Sequence, residues 1–221
     1  MQPITRYPGL FKDGHGKRTK YFVQTAKRQS FFDERIVSHQ QGLFREVDPE
    51  RSKLFAAIAK GVSQLGLKED SSILYLGASH GYTVSFLSDM VTKGQIFALD
   101  FAPRVMRDMV FIAEQKENIA PVYANASHPE TYANIPLVDV VFMDVAQRNQ
   151  VEIFKKNCDA FLKSGGFGLL ALKARSMDMT KKPKDLFKQV RKELERNFIV
   201  VDYRELDPFE KDHAFYVVKK R

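Results

Sequence analysis

What the chain lacks narrows it first. It has one cysteine, Cys158, so no internal disulfide framework and no cysteine-rich metal site can form. Cys158 falls in an amphipathic helical pattern, where a buried thiol is expected rather than a nucleophile. No apolar run approaches the length of a membrane span. Met1–Tyr7 has no apolar core of signal-peptide type, and an intracellular protein is expected. There are no internal repeats, low-complexity tracts or long linkers. Acidic residues are in deficit: 35 Lys and Arg against 27 Asp and Glu give a formal net charge of +8. Such a surface neutralises phosphates and concentrates nucleic acid, so polyanionic company is expected. The length of 221 residues fits one large domain or one domain with a small appendage, with ample core.

Along the chain the period of the hydrophobic pattern changes. Residues 1–47 read as a small β-rich unit: "KYFVQTA" and "RIVSHQQGLFREV" alternate, and "KDGHGK" is a turn. Asp48-Pro49-Glu50 marks a helix start, with Asp as N-cap and Pro at the first helical position. The predicted helix is "RSKLFAAIAKGVSQL". From residue 48 to 221 strands alternate with helices. Strands are predicted at Ile73–Gly77, Ile96–Phe101, Val122–Ala126, Val138–Val145 and Phe167–Ala174. Helical patterns include "PRVMRDMVFIAEQ" and "NQVEIFKKNCDAFLKS", the latter capped by Gly165-Gly166. The alternation predicts an open α/β sheet, Rossmann-like and mostly parallel. Near-continuous apolar runs such as "VDVVFMDV" fit strands buried on both faces. At the end "FIVVDYREL" and "HAFYVVKK" follow each other without a helix and predict an antiparallel hairpin. By fold analogy that ending favours methyltransferases dependent on S-adenosylmethionine over dehydrogenases.

The stretch "ILYLGASHGYTVSF", Ile73 to Phe86, carries a strand-to-helix glycine turn. It lacks the middle glycine of a dinucleotide fingerprint and the G-K-[ST] ending of a phosphate-cleaving loop. A helix N-terminus there can still face a carboxylate. The next strand ends in Asp100, spaced to accept bonds from ribose hydroxyls, or alternatively to cap the following helix. The one after brings Asn125 near an adenine edge, and "FMDVAQ" supplies Asp144 and Gln147. Four successive strands thus place a glycine or polar group at the edge where ligands of open α/β sheets bind.

With these stretches, "DPERSKLFAAI", "ALDFAPRVMRD", "NIAPVYANASHPETY", "VDVVFMDVAQRNQ", "LLALKARSMDMTK" and "LDPFEKDHAFYVV" stand in one order. In that order the chain resembles fibrillarin and its archaeal counterparts, the box C/D RNA-guided ribose 2′-O-methyltransferases. The resemblance covers nearly all of Asp48 to the C-terminus and, more loosely, Tyr7–Val47. It implies S-adenosylmethionine as cofactor. The contacts it implies are Gly77, Ala78, Gly81, Tyr82, Thr83, Asp100, Phe101, Asn125, Ala126, Asp144 and Gln147. Three departures stand out: "HGYT" where the family usually has "SGTT", Asp100 for a common Glu, and Asn125 for a usual Asp. The family's catalytic set falls on Lys53, Asp144, Lys173 and His213. Topology independently brings Asp144, Lys173 and His213 to one sheet edge; only the resemblance places Lys53. A strand-end lysine at 173 reads as a functional one, because lysine is rarely buried without a partner.

The resemblance also implies partners: a box C/D guide RNA, substrate rRNA or tRNA, a Nop-domain scaffold protein and a kink-turn-binding protein. No membrane and no metal are expected. Lys184, Lys188, Arg191 and Lys192 share one side of a helix, and Lys181, Lys182, Arg104 and Arg107 add to a basic surface. Without the Gly/Arg-rich tail of eukaryotic fibrillarins, the chain reads as archaeal and cytoplasmic. The rival readings are a structural subunit with a weakened donor site and a nicotinamide oxidoreductase.

Overall fold

A computed structural model describes residues 1–221, apart from the side chain of Lys17. Two sheets organise it. The first has five strands: β1 (Gln2–Pro3), β2 (Leu10–Asp13), β3 (Lys20–Thr25), β4 (Ile36–His39) and β5 (Gly42–Val47), in the order β1-β2-β3-β5-β4. All its pairings are antiparallel.

The chain then runs through α1 (Lys53–Ala59), β6 (Ser72–Leu76), α2 (Tyr82–Met90), β7 (Gln95–Asp100), α3 (Pro103–Ala113) and β8 (Ile119–Tyr123). It continues through β9 (Val138–Met143), α4 (Gln150–Phe161), β10 (Leu162–Lys173), α5 (Ala174–Met177), α6 (Pro183–Asn197), β11 (Phe198–Glu205) and β12 (His213–Lys220). The seven-stranded sheet has the order β11-β12-β10-β9-β6-β7-β8. Its strands run parallel except β12, which is antiparallel to both β10 and β11. This is the predicted Rossmann-like sheet closed by a terminal hairpin.

Why the strands read as unbroken apolar runs is plain from the two cores. On β6, Ile73 and Tyr75 enter one core with α1, α2 and α3, while Leu74 and Leu76 enter the other with α4 and α6. β12 splits likewise, Phe215 and Val217 against Ala214, Tyr216 and Val218. Cys158 lies buried in the second core, and burial pushes its thiol far up, as an inert residue requires.

Three predicted boundaries move. Asp48 caps only a 3-10 turn, Pro49–Arg51, by accepting a bond from the Glu50 N–H at 2.9 Å. Ser52 caps α1 instead, and the helix ends at Ala59 rather than Leu65. The chain turns away at Gly61, whose φ of +78° no helix accommodates. Gly165-Gly166 do not cap α4, which stops at Phe161; they lie inside β10, where the register on β9 shifts between Leu162 and Phe167. The third strand of the series ends at Tyr123, so Asn125 stands in the loop beyond it.

The first sheet is joined to α2 by a buried charge. Arg45 of β5 is fully buried and lies 2.6 Å from Glu34 and 2.8 Å from Asp89 of α2. It also donates to the Ser85 carbonyl and hydroxyl at 3.0 Å each, and its guanidinium lies 4.0 Å from the centre of the Phe86 ring. Burial raises the Glu34 carboxyl, but Arg45 and nearby N–H groups outweigh it and hold it below the ordinary range. Arg45→Ala leaves both carboxylates without the guanidinium and is expected to cost about 3–5 kcal/mol in urea denaturation. Because the folded value of Glu34 is depressed, its contribution is full above the ordinary glutamate value of 4.5. It disappears as pH falls through the folded value, which an acid titration of wild type against Glu34→Gln should register.

Candidate active site

β6 and β9 are parallel neighbours, and the connections leave them in opposite directions across the sheet. The crevice beyond their carboxyl ends is the place where such sheets hold ligands. Gly77 ends β6 with a φ of +78°, and a Cβ there would lie 2.5 Å from the Asp144 carbonyl oxygen. Any side chain at 77 would therefore push on the segment that carries Asp144. The turn is tied down from the next strand: Gly77 N–H and Ala78 N–H donate to the Leu99 carbonyl, and Ser79 N–H donates to Asp100 at 3.0 Å.

Two cavities open over this turn and share Gly77, Ser79 and Asp144. The larger, about 690 Å³, includes Ala78, Tyr82, Thr83 and Lys53 in its walls. The smaller, about 180 Å³, is walled by Asp100, Phe101, Asn125, Ala126 and Gln147. Every residue predicted to contact the donor thus lines one cavity or the other except Gly81, which instead stands at the N-cap of α2. Asp100 caps the following helix and also lines the smaller cavity. Its Oδ1 accepts from Ala102 N–H at 3.1 Å at the start of α3, while the carboxylate still lines the cavity. Asn125 Oδ1 accepts from Ser127 N–H at 3.0 Å, which leaves its amide N–H groups uncommitted.

Of the four residues predicted to be catalytic, Lys53 and Asp144 meet directly, Nζ to Oδ2 at 3.1 Å. Burial works against the Lys53 charge, but Asp144 and Glu210 outweigh it and hold its pKa above that of an ordinary lysine. Burial also pushes the Asp144 carboxyl up, and Lys53 opposes that push. Lys53 keeps its proton, because two carboxylates, Asp144 at 3.1 Å and Glu210 at 3.8 Å, face it. His213 is buried and reaches this pair through Glu210, 3.7 Å from its Nδ1. Lys173 is the cross-strand partner of His213. Its side chain is exposed, however, contrary to the burial its strand position predicted, because β10 ends there at the rim of the sheet. Among the described residues it makes no ion pair.

Three features escaped the sequence. Glu210 lies 3.8 Å from Lys53, and a carboxylate in a polar turn carries no periodic signal. Gln150 is fully buried and pairs with both backbone groups of Lys173, donating to its carbonyl at 3.0 Å and accepting from its N–H at 3.1 Å. Tyr82 has a part of its own: its hydroxyl accepts from Asp48 N–H at 3.0 Å, and its ring meets Phe32 and Phe86 edge-on. Arg51 covers it at 4.4 Å. It joins the first sheet and the approach to Lys53 to the cavity wall. The polar outer side of α6 is exposed as predicted, with Lys184, Lys188 and Lys192 open and Arg191 paired with Glu195. Gly77→Ala is expected to lose about 1–3 kcal/mol from backbone strain alone. A thermal melt together with loss of ligand binding in the cavity would check it.

The Fibrillarin family model matches residues 1–221. A protein of Thermococcus onnurineus, named a fibrillarin-like rRNA/tRNA 2′-O-methyltransferase, is 43% identical over 222 residues, covering 97% of both chains. The structure of Aeropyrum pernix fibrillarin with natively bound S-adenosyl-L-methionine aligns with a TM-score of 0.88 at 36% identity, over 98% of this chain and 96% of that one. A fibrillarin/Nop5p complex aligns with a TM-score of 0.85 at 37% identity, over 91% of this chain and 94% of the other. With its whole length matched and relatives of this identity spanning it, the chain belongs to the fibrillarin family.

Proposed function

We propose that the chain transfers the methyl group of S-adenosylmethionine to a ribose 2′-hydroxyl of rRNA or tRNA. The observation that carries the reading is the pair of cavities that meet at Gly77 and Asp144, one of them walled by the Lys53–Asp144 ion pair. An elongated donor with a nucleoside arm and an amino-acid arm fits such a pair. Asp100 in the smaller cavity has lone pairs left for ribose hydroxyls, and Asn125 has N–H groups left for an adenine edge. Thr83 and the N-terminal turn of α2 wall the larger one.

Bound there, S-adenosylmethionine supplies an activated methyl on a sulfonium. The chain's own task is alignment, which accounts for much of the acceleration in a displacement of this kind. Asp144 orients Lys53 and the donor side. Lys53, kept as an ammonium, and His213 hold the acceptor nucleotide. Lys173, exposed at the end of β10, reaches the 2′-hydroxyl and either takes its proton or stabilises the alkoxide as that proton leaves to water. Target choice belongs to base pairing with a box C/D guide RNA. A Nop-domain scaffold and a kink-turn-binding protein complete the particle. The basic outer side of α6 supports a contact with phosphates.

Calorimetric titration of the purified chain tests the donor site: saturable one-site binding of S-adenosylmethionine and none of NAD is expected. Absence of binding even with the scaffold present would make the chain a structural subunit. In the assembled particle Lys173→Ala is expected to lose turnover by at least about 100-fold while donor affinity stays unchanged. Full turnover by that variant would remove Lys173 from the reaction.

A further inference from the structure

The turn between β11 and β12 carries a carboxylate that the reading above leaves without a task. The turn is closed by its own backbone: Leu206 N–H donates to the His213 carbonyl at 3.0 Å, and Phe209 and Glu210 N–H groups donate to the Leu206 carbonyl at 2.9 and 3.2 Å. That closure aims Glu210 back at the sheet edge. Its two oxygens divide between two partners, Oε1 lying 3.8 Å from Lys53 Nζ and Oε2 3.7 Å from His213 Nδ1. The Glu210 side chain is 24% exposed, Lys53 22% and His213 7%, so the three groups are screened far less than a surface pair. His213 Nδ1 also lies 2.7 Å from the Lys211 carbonyl oxygen. A carbonyl only accepts, so Nδ1 carries the hydrogen, and in the neutral ring Nε2 is the acceptor.

The result is a row of alternating charge along the sheet edge, Asp144, Lys53 and Glu210, with the His213 ring beside its last member. Lys53 is faced by Asp144 from the end of β9 and by Glu210 from the β11–β12 turn. His213 faces Glu210, and Lys173 stands opposite it at the end of β10. Glu210 itself lines neither cavity. We infer that Glu210 is a positioning residue for the acceptor side of the site: one carboxylate that draws the Lys53 ammonium towards the His213 ring, which the Lys211 carbonyl holds in place. It rests on the proposed methyl transfer, since it assigns Glu210 to the acceptor rather than to the donor. Lys53 comes from α1 and His213 from β12, elements far apart in the chain. Asp144 alone touches Lys53 from one side and leaves its ammonium free to swing away from His213. Glu210 closes that freedom and supplies a second negative charge that favours the protonated lysine.

The test compares Glu210→Gln and Glu210→Asp with wild type in the assembled particle. Three quantities are read: donor affinity by calorimetry, the thermal midpoint, and kcat as a function of pH. For Glu210→Gln, donor affinity is expected within about twofold of wild type, because the residue lies outside both cavities, and the midpoint is expected to be unchanged. Its kcat is expected to fall by about 10- to 100-fold, the scale of a displaced reacting group. The alkaline limb of its pH profile should move to lower pH, because Lys53 then keeps its proton with one carboxylate instead of two. Glu210→Asp keeps the charge and should return that limb towards the wild-type position while regaining only part of kcat. Wild-type kcat and an unmoved limb in Glu210→Gln would overturn the assignment. So would a joint loss of donor binding and midpoint, which marks a merely structural role. An inactive wild-type particle would instead overturn methyl transfer itself.

Discussion

The site depends on a charge that never touches it. Arg45 is buried between the first sheet and α2, with Glu34 on one side and Asp89 on the other. A buried guanidinium with unpaired neighbours is costly, so this geometry admits one arrangement of sheet on helix. α2 begins at the glycine turn and carries Tyr82 and Thr83 into the cavity wall. β5, which carries Arg45, leads within a few residues to Asp48, whose N–H is held by Tyr82, and then to Ser52 and Lys53. Ser52 is bonded in turn to Thr83, hydroxyl to hydroxyl, at 2.8 Å. The chain between the two sheets is therefore pinned at three successive points, which deliver the backbone of Lys53 beside Asp144. The first sheet shares a core with the second and supports the segment that carries Lys53.

Around Asp144 the chemistry is organised by alternation of charge. Fixed partners of opposite sign, held before any ligand arrives, need little reorganisation during a reaction. Lys53 remains an ammonium because two carboxylates outweigh its burial. It is thus suited to holding an anion and unsuited to removing a proton. Lys173 stands in different surroundings: it is exposed and its side chain makes no ion pair among the described residues, while Gln150 fixes its backbone from below. Two lysines at one sheet edge thus differ in their surroundings: Lys53 is paired with carboxylates and Lys173 is open to solvent.

Tyr82 illustrates how a departure from the family pattern is absorbed. A larger side chain at the first turn of α2 would be expected to intrude on the ligand. Instead the ring turns towards Phe32 and Phe86, the hydroxyl takes the Asp48 N–H, and Arg51 lies over the ring. The cavity keeps about 690 Å³ with Tyr82 in its wall.

Much of this was legible in the chain itself. Apolar runs such as Ile73–Gly77 and Val138–Val145 announced strands buried on both faces, and their alternation with helical periods determined an open parallel sheet. Once that sheet is granted, Gly77, Asp100, Asp144 and Lys173 must share its carboxyl edge, and an antiparallel last strand must start there with His213. Local signals were weaker at element ends. Gly61 cuts α1 short, and Gly165-Gly166 lie in a strand rather than a cap, because a glycine states what backbone is permitted and not which element uses it. What only the tertiary structure decided are pairings between distant residues: Arg45 with Asp89, Ser52 with Thr83, Lys53 with Glu210, Gln150 with Lys173. Such contacts have no period. Each forms because the hydrophobic layers close first in space, and a polar group enclosed by that closure is stable only where another comes within reach.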